Sequence, residues 1–256
     1  MKSSLLILLC IIRVCLAAPL LTTIAPTETQ PTQQLIAPNA QHWFGTDYLG
    51  RDVYSRTLYG GRRTLAVSTL ATVFAVSVGI MWGMLGTLAS RPVRALVVAL
   101  IDAWLALPGL IIALVLLLFL GRGAVPIAIA VGLAQMAGVA RIVRSRLLQV
   151  LQAGYIDAAH SLGASQWHII WHHLLPNISA TLLTYTAIVF SYSIINSAAL
   201  SLLGLGQDPA YPDWGIMLAE GRNSFRIAPW VAIAPGLAIS LTIISVHRLV
   251  DQWGYV

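Results

Sequence analysis

The chain has 256 residues, of which 58% are hydrophobic and only 9% charged, and its mean hydropathy is +0.81. Soluble domains of this length carry about 25% charged residues, so this composition excludes an ordinary soluble protein and predicts an all-α, polytopic membrane protein. The net charge of +6 does not indicate nucleic-acid binding, because the arginines are scattered at the ends of apolar runs, where they can anchor helices in the lipid bilayer.

The first apolar run covers residues 4–25 and contains Arg13. Lys2, the apolar stretch and the small residues Ala17 and Ala18 are also typical of a secretory signal peptide. We favour a retained transmembrane helix, with cleavage as the alternative. Arg13 does not decide between them, because it interrupts a signal-peptide core as much as a spanning helix.

Five further apolar runs predict five more transmembrane helices, which makes six with both ends on the same side of the membrane. The run of residues 95–120 contains Asp102 and the dipeptide Pro108-Gly109, which predicts a kink. The expected spans are residues 4–25, 64–89, 95–120, 124–140, 178–203 and 229–246.

Basic residues do not orient these spans. Lysine and arginine are enriched in cytoplasmic loops of membrane proteins. With both ends in the cytoplasm, however, the two sides carry equal numbers of basic residues. Lys2, Arg91, Arg94, Arg141, Arg144, Arg146 and Arg248 would lie inside, and Arg51, Arg56, Arg62, Arg63, Arg122, Arg222 and Arg226 outside.

A polar segment, residues 141–177, separates the fourth and fifth apolar runs. Residues 157–162 and 166–175 are rich in helix formers, and Gly163 offers a break between them. Pro176 ends the pattern, because the residue before a proline is biased away from helix. We expect a short helix–turn–helix lying at a membrane surface.

The second of these helices is predicted to be amphipathic. Four apolar residues recur at helical spacing on one face, and His168 and His172 share the other. Two histidines four residues apart have the spacing of metal ligands, but no cysteine or second acid is nearby, so we favour a polar surface over a metal site. The apolar face consists of Trp167, Ile170, Trp171 and Leu174.

The polar segment also resembles a known motif. Its spacing is similar to the EAA motif of ABC importer permeases, E-A-A-x3-G-x9-I-x-L-P, which forms the cytoplasmic coupling helix that docks into a groove of the ATPase subunit. Asp157 stands where that motif has Glu, and His173 where it has Ile. The resemblance implies an ATPase-coupling site made by Asp157, Ala158, Ala159, Gly163, Leu175 and Pro176.

Two further stretches resemble the peptide/nickel group of these permeases, and specifically its second, shorter permease subunit. Residues 44–65, FGTDYLGRDVYSRTLYGGRRTL, are similar to LGTDxLGRDxxSRxxxGxRxSL. Residues 199–222, ALSLLGLGQDPAYPDWGIMLAEGR, are similar to SLSFLGLGxxPPxPSWGxMLxEGR. Before the second stretch, residues 196–198 read Asn-Ser-Ala, where peptide importers of the group often carry an acid.

The first of these stretches carries an extracytoplasmic signature. We expect its acids and arginines to form a local charge network that shapes the loop, with contact to a solute-binding protein as the alternative. Trp214, in the second stretch, is expected to be an interfacial anchor. The signature residues are Gly45, Asp47, Gly50, Arg51, Asp52 and Arg56.

The resemblance implies a type I ABC importer permease fold with six transmembrane helices. An N-terminal helix and extracytoplasmic segment would occupy residues 1–63, and the permease transmembrane domain residues 64–253, with its coupling loop at residues 141–177. Because a coupling loop must face the ATPase, both termini would lie in the cytoplasm, and the chain would be a multi-pass protein of the bacterial plasma membrane.

The same resemblance implies three kinds of partner: a second permease subunit that completes a heterodimer, one or two cytoplasmic ABC ATPase subunits, and an extracytoplasmic solute-binding protein. Neither a cofactor nor a metal is expected. A phosphate-binding loop of the form GxxxxGK[ST] needs a lysine, and the only lysine is Lys2. The chain is therefore expected not to be an enzyme, and the group's solutes are peptides, glutathione, nickel or metal chelates.

Two other classes of protein were weighed. An ion-coupled secondary transporter needs acids or unwound polar sites near the bilayer midplane, whereas Asp102 is the only acid within a span and no repeat is visible. An intramembrane hydrolase needs a nucleophile and a base at membrane depth, and no histidine lies well inside the second to fifth runs. For Asp102 we favour an ion pair with a residue of another helix over contact with a solute. Arg13 is one candidate partner.

Overall fold

A computed structural model describes residues 2–205 and 211–253, with the side chains of residues 4–205 and 211–250. Within these ranges the chain is helical apart from loops and one isolated β-bridge, so the all-α fold expected from composition is confirmed. The helices are α1 (Lys2–Leu16), α2 (Ala18–Leu21), α3 (Val53–Leu88), α4 (Arg91–Leu105), α5 (Gly109–Leu120), α6 (Ala124–Leu151), α7 (Gly154–Ser161), α8 (Gln166–Ile169), α9 (Leu175–Leu200), α10 (Trp214–Ser224) and α11 (Trp230–Trp253).

Among the described residues, four helical stretches are long and apolar enough to cross a membrane, namely Val53–Leu88, Ala124–Leu151, Gln166–Leu205 and Trp230–Val250. α4 and α5 together form a fifth candidate, bent by 98°. α1 corresponds to the first predicted span but has 15 residues, about 22 Å of helix, against roughly 30 Å of hydrocarbon. The six predicted apolar segments are all helical, but one is bent and one is short.

The bend between α4 and α5 lies where the sequence predicts a kink. Pro108 is the N-cap of α5, so the chain leaves helical geometry over residues 106–108. Proline lacks the amide needed for the helical hydrogen bond and disfavours helical geometry at the preceding residue, Leu107. The predicted kink is present, and its angle of 98° makes it a break between two helices.

Two long helices extend beyond the predicted apolar runs. α3 begins at Val53 rather than at Thr64, because the Asp52 carboxylate accepts a hydrogen bond from the Ser55 amide at 2.7 Å and caps the helix there. α6 continues to Leu151 through three arginines, so the first part of the polar segment is helical. Hydropathy therefore predicts the apolar parts of these helices but not the residues at which they begin and end.

Pro176 does not end a helix, contrary to the sequence prediction. A π-helical turn over Ile170–Leu174 joins α8 directly to α9, and Pro176 lies in the first turn of α9. Proline inside a helix removes one backbone hydrogen bond and crowds the preceding turn, and the wider π turn relieves that clash. The second half of the expected helix–turn–helix is therefore continuous with a membrane span.

The centre of the bundle is the contact between α3 and α6. A Cβ added to Gly79 would lie 2.5 Å from Cβ of Val139, and one added to Gly83 would lie 2.7 Å from Cβ of Val143. Glycines four residues apart let two helices approach closely, which is how membrane helices gain packing energy without a hydrophobic driving force. α9 packs on the same pair of helices, so α3, α6 and α9 form the rigid core.

Candidate functional site

The polar segment after α6 folds as a compact helical hairpin of α7 and α8. Gly163 has a φ of 83°, a conformation that glycine adopts without a Cβ penalty. The amide of Ala164 donates to the Ala159 carbonyl at 3.0 Å, which closes the end of α7. Ser165 then caps α8 by accepting from the His168 amide at 3.2 Å. We refer to residues 152–176 as the coupling segment.

The coupling segment is anchored by apolar side chains to the ends of α3 and α6. Ile156, Ile169 and Leu174 are each at most 3% exposed and belong to one hydrophobic cluster with Val143 and Leu147 of α6. Burying this much apolar surface fixes the segment to the bundle. The segment is therefore packed against α6 and is continuous, through the π turn, with α9.

The residues predicted to couple to an ATPase lie on the free side of this segment. Asp157 is in the first turn of α7, where a carboxylate interacts favourably with the helix dipole. It is exposed, as are Ala158 and Gly163, while Ala159 is partly buried. Leu175 and Pro176 lie at the start of α9, partly buried and exposed respectively. The structure thus leaves one short, small-residue helix face open.

The prediction of an apolar face on the second helix is correct for two of its four residues. Leu174 is buried, and Ile170 packs against the same cluster. Trp167 and Trp171, however, are 68% and 60% exposed, and Ile169 takes their place in the core. The π turn accounts for the new pairing in the core, because its wider repeat places Leu174 on the same side as Ile169, five residues earlier.

The histidines form a small aromatic stack. The rings of His168 and His172 lie 4.2 Å apart and nearly parallel, and Nδ1 of His172 is 3.1 Å from the His168 carbonyl oxygen. His173 turns toward Tyr155, with ring centroids 5.9 Å apart. No group of three or more metal-ligating side chains occurs within the described parts of the chain. The geometry is that of a polar surface.

Asp102 has a clear partner on another helix. Its Oδ1 accepts a hydrogen bond from Nη2 of Arg141 at 3.0 Å, which links α4 to α6. This agrees with an interhelical role for Asp102, but the suggested pairing with Arg13 is wrong. Both side chains are more than half exposed in the single chain.

The predicted extracytoplasmic signature is a buried structure. All six signature residues are buried. Asp47 accepts hydrogen bonds from the amides of Leu49 and Arg51 and pairs with Nε of Arg51 at 2.7 Å. Gly45 and Gly50 have φ values of 69° and 74°, which carry the chain through tight turns that other residues would strain. The expectation of a local charge network is confirmed.

The network includes Glu220, to which the sequence analysis gave no role. Oε2 of Glu220 lies 2.9 Å from Nη2 of Arg51 and 2.7 Å from Nη2 of Arg56. Burial acts to lower the pKa of Arg51, but Asp47 and Glu220 outweigh burial and raise it. We call Asp47, Arg51, Arg56 and Glu220 the outer cluster. It ties the loop before α3 to α10.

Asp52 carries a second set of contacts beside the outer cluster. Its Oδ1 is 2.9 Å from Nδ1 of His42, and Nε2 of His42 is 2.7 Å from Oε1 of Gln33. Asp52 is therefore both the N-cap of α3 and the partner of a buried histidine. These contacts fix the direction in which α3 leaves the loop.

Trp214 is a core residue rather than the interfacial anchor that was expected. It is 1% exposed, and its Nε1 donates to the Thr57 carbonyl at 2.9 Å. Its backbone amide donates to Oγ1 of Thr64 at 3.1 Å. A Cβ on Gly61 would lie 2.8 Å from the Trp214 ring. The two signature stretches thus pack on each other as one unit, although residues 206–210 of the second lie outside the described residues.

Known proteins share both the sequence and the fold. Residues 75–253 match the family described as binding-protein-dependent transport system inner membrane component. The chain is 34% identical over 247 residues to the dipeptide transport system permease protein DppC of Alkalihalophilus pseudofirmus, covering 96% of this chain and 81% of that protein. It is 36% identical over 214 residues to the glutathione transport system permease protein GsiD of Pectobacterium atrosepticum, covering 84% and 71%.

Two solved transporter structures show the same fold. An amino acid ABC transporter chain aligns with a TM-score of 0.64 at 18% identity, covering 79% of this chain and 94% of that one. An inward-facing MetNI methionine ABC transporter chain aligns with a TM-score of 0.64 at 18% identity, covering 77% and 96%. At this identity the likeness bears on fold alone.

Proposed function

The chain belongs to the family of binding-protein-dependent transport system inner membrane components, and from that premise we propose that it forms a solute pathway with a second permease, driven by separate ATPase subunits. Family and fold make it an ABC importer permease of the inner membrane. Its named relatives are transport permeases rather than enzymes. The observation that carries the proposal is the exposed, rigidly anchored coupling segment.

The coupling segment would dock into a groove of a cytoplasmic ATPase. Asp157 and Ala158 are exposed on α7, and the small alanine side chain permits another surface to approach closely. The carboxylate of Asp157 suits an arginine of the partner, since charge-assisted hydrogen bonds are the stronger kind. Gly163 permits the turn that presents α7, while Leu175 and Pro176 set the junction with α9.

Closure of the ATPases would move the coupling segment as a rigid lever. Ile156 and Leu174 fix it to the end of the bundle that this proposal assigns to the cytoplasm, and the π turn makes it continuous with α9. Displacement of the segment would then tilt α6 and α9 together. Such a rigid-body change can alternate the access of a cavity at the interface with the second permease.

This role orients the chain. A coupling segment in the cytoplasm places both termini inside and the outer cluster outside. The outer cluster would then hold the surface that receives a solute-binding protein. Trp43 and Tyr48, which are 62% and 41% exposed beside it, are suited to that contact, because aromatic residues are enriched at protein interfaces.

We assign peptides as the solute class. The relatives named above are dipeptide and glutathione permeases, and glutathione is itself a peptide. Nickel or a metal chelate is the less supported alternative. An ion-coupled secondary transporter is not favoured, because the described spans carry a single acid, Asp102, and its carboxylate is paired with Arg141.

A matched pair of glycine substitutions tests the coupling role. Gly163→Asp places a branched polar side chain at a φ of 83° and should distort the turn. Gly154→Asp, at the start of α7, meets no atom within 4 Å and needs no positive φ. We expect both variants to insert in the membrane, and only Gly163→Asp to lose copurifying ATPase and peptide uptake. Normal uptake by Gly163→Asp would contradict the assignment.

A further inference from the structure

One surface of the bundle differs in chemistry from the rest of its membrane-spanning exterior. A cleft of about 330 Å³ lies between α6, α9 and the break that separates α4 from α5. Its polar lining consists of amides and hydroxyls, and no charged side chain contributes to it. These polar residues are Gln135, Tyr185, Tyr192 and Asn196, which we call the polar face.

The opposite side of α9 shows what a lipid-facing surface looks like in this chain. A groove of about 460 Å³ between α1, α3, α9 and α11 is lined by apolar side chains and threonines. On α9, the hydroxyls of Thr184 and Thr186 each donate to the carbonyl four residues earlier, at 3.0 and 2.7 Å. Their hydroxyl protons are used within the helix, so lipid chains can cover these two residues at little cost to polar groups.

The polar face is different, because its groups are not used in this way. Among the described side chains, those of residues 4–205 and 211–250, Tyr185, Tyr192 and Asn196 make no hydrogen bond in the single chain, and Tyr192 is 57% exposed. The three residues follow each other along one side of α9 over about 16 Å. Unpaired amides and hydroxyls are unfavourable in hydrocarbon, so this side of α9 does not face lipid.

Gln135 is held in place by a second layer of hydrogen bonds. Its Nε2 donates to Oγ of Ser193 at 2.8 Å, and Oγ of Ser193 lies 3.4 Å from Oγ1 of Thr72. These bonds join α3, α6 and α9 behind the cleft. The amide nitrogen of Gln135 is thereby occupied, and its carbonyl oxygen has no partner among the described residues. It is a pre-positioned acceptor.

Two features complete the polar face at the end nearer the coupling segment. A Cβ on Gly138 would lie 2.8 Å from the Tyr185 hydroxyl oxygen, so glycine at this position makes room for that hydroxyl. One turn further along α6, Arg141 pairs with Asp102, and both remain more than half exposed. An ion pair with no net charge thus lies between the uncharged polar face and the coupling segment.

We propose that the polar face is this chain's wall of the solute pathway and that it binds the backbone amides of a peptide solute. The inference rests on the proposed permease function and adds its recognition chemistry. A peptide unit offers one donor and one acceptor, and amide and hydroxyl side chains can match both. The cleft contains no carboxylate, thiolate or imidazole to hold a metal cation.

Cysteine accessibility in the complete transporter tests whether the polar face lines an aqueous path. The two native cysteines, Cys10 and Cys15, are first replaced by serine and alanine. Tyr192→Cys and Asn196→Cys should then react with a membrane-impermeant methanethiosulfonate during ATP turnover, and glycyl-leucine should slow the reaction. Leu183→Cys, 47% exposed on the groove side of α9, should not react. Equal reactivity at all three positions would overturn the proposal.

Uptake into proteoliposomes tests the recognition chemistry. Tyr192→Phe and Asn196→Leu should each lower kcat/KM for glycyl-leucine by roughly two- to tenfold, the loss expected for one neutral hydrogen bond. Thr184→Val should leave it unchanged, and copurifying ATPase should be the same in all three. If the wild-type complex transports glycyl-leucine and the polar-face variants equal it, the polar face does not bind the solute. If the wild-type complex transports neither glycyl-leucine nor glutathione, the proposed solute class fails instead.

Discussion

Removal of the Glu220 charge should destabilise the outer side of the protein strongly. Glu220 pairs with Arg51 at 2.9 Å and Arg56 at 2.7 Å, and the two arginine side chains are 6% and 1% exposed. In Glu220→Gln, Asp47 alone would balance two buried guanidinium groups. Breaking a buried ion pair by removing one partner costs about 3 to 5 kcal/mol. For a chain of this size that corresponds to a fall in Tm of roughly 6 to 20 °C.

The matched control is the exposed ion pair of the same type. Asp102 and Arg141 are 61% and 58% exposed, and exposed pairs contribute about 0 to 1 kcal/mol. Asp102→Asn should therefore lower Tm by no more than roughly 4 °C. Thermal unfolding of the purified permease complexes in detergent, followed by tryptophan fluorescence, measures both. A Glu220→Gln shift no larger than that of Asp102→Asn would refute the role given to the outer cluster.

Two further predictions concern packing and pH. Gly79→Leu should prevent close packing of α3 on α6, because the new side chain meets Val139, and should abolish assembly seen by size-exclusion chromatography, whereas Gly154→Leu, with no atom within 4 Å and no positive φ, serves as an assembly control. Burial raises the pKa of Asp213 above its ordinary 3.8, so the folded state holds its proton more tightly and loses stability as pH rises from about 3.8 through the raised value. Asp213→Asn should remove that loss while its amide oxygen still caps α10; an unchanged dependence of Tm on pH would contradict it.

Local chemistry explains which features the sequence predicts well. The turn at Gly163 and the ion pair of Asp47 with Arg51 join residues close in the chain, and each is specified by residue type and spacing. The membrane fold follows from apolar runs, because lipid requires their backbone groups to be satisfied internally. Motif resemblance then identifies the coupling segment, whose residues are individually ordinary.

Long-range packing explains what the sequence analysis missed. Glu220 meets Arg56 across 164 positions of the chain, and nothing in the residues around either indicates the other. Trp214 matches the composition of an interfacial anchor, yet it is buried because Gly61 leaves space for its ring. Pro176 matches a helix stop, yet the π turn before it accommodates the ring. In each case, contacts with residues outside the local motif determine where the side chain lies.

The polar face suggests a role for the first residue of the Asn-Ser-Ala stretch at residues 196–198. This chain places the amide of Asn196 in an uncharged cleft. An uncharged wall discriminates by hydrogen bonding rather than by charge. Uptake that varies little between acidic, neutral and basic dipeptides is the behaviour expected of such a wall.

Photocrosslinking from the coupling segment tests the central claim most directly. Benzoylphenylalanine replaces Ala158, exposed on α7, or Leu118, 77% exposed at the far end of α5. In the intact membrane, position 158 should crosslink to an ATPase subunit and position 118 should not. Equal crosslinking from both positions, or none from position 158 in a complex that retains its ATPase, would contradict docking through this segment.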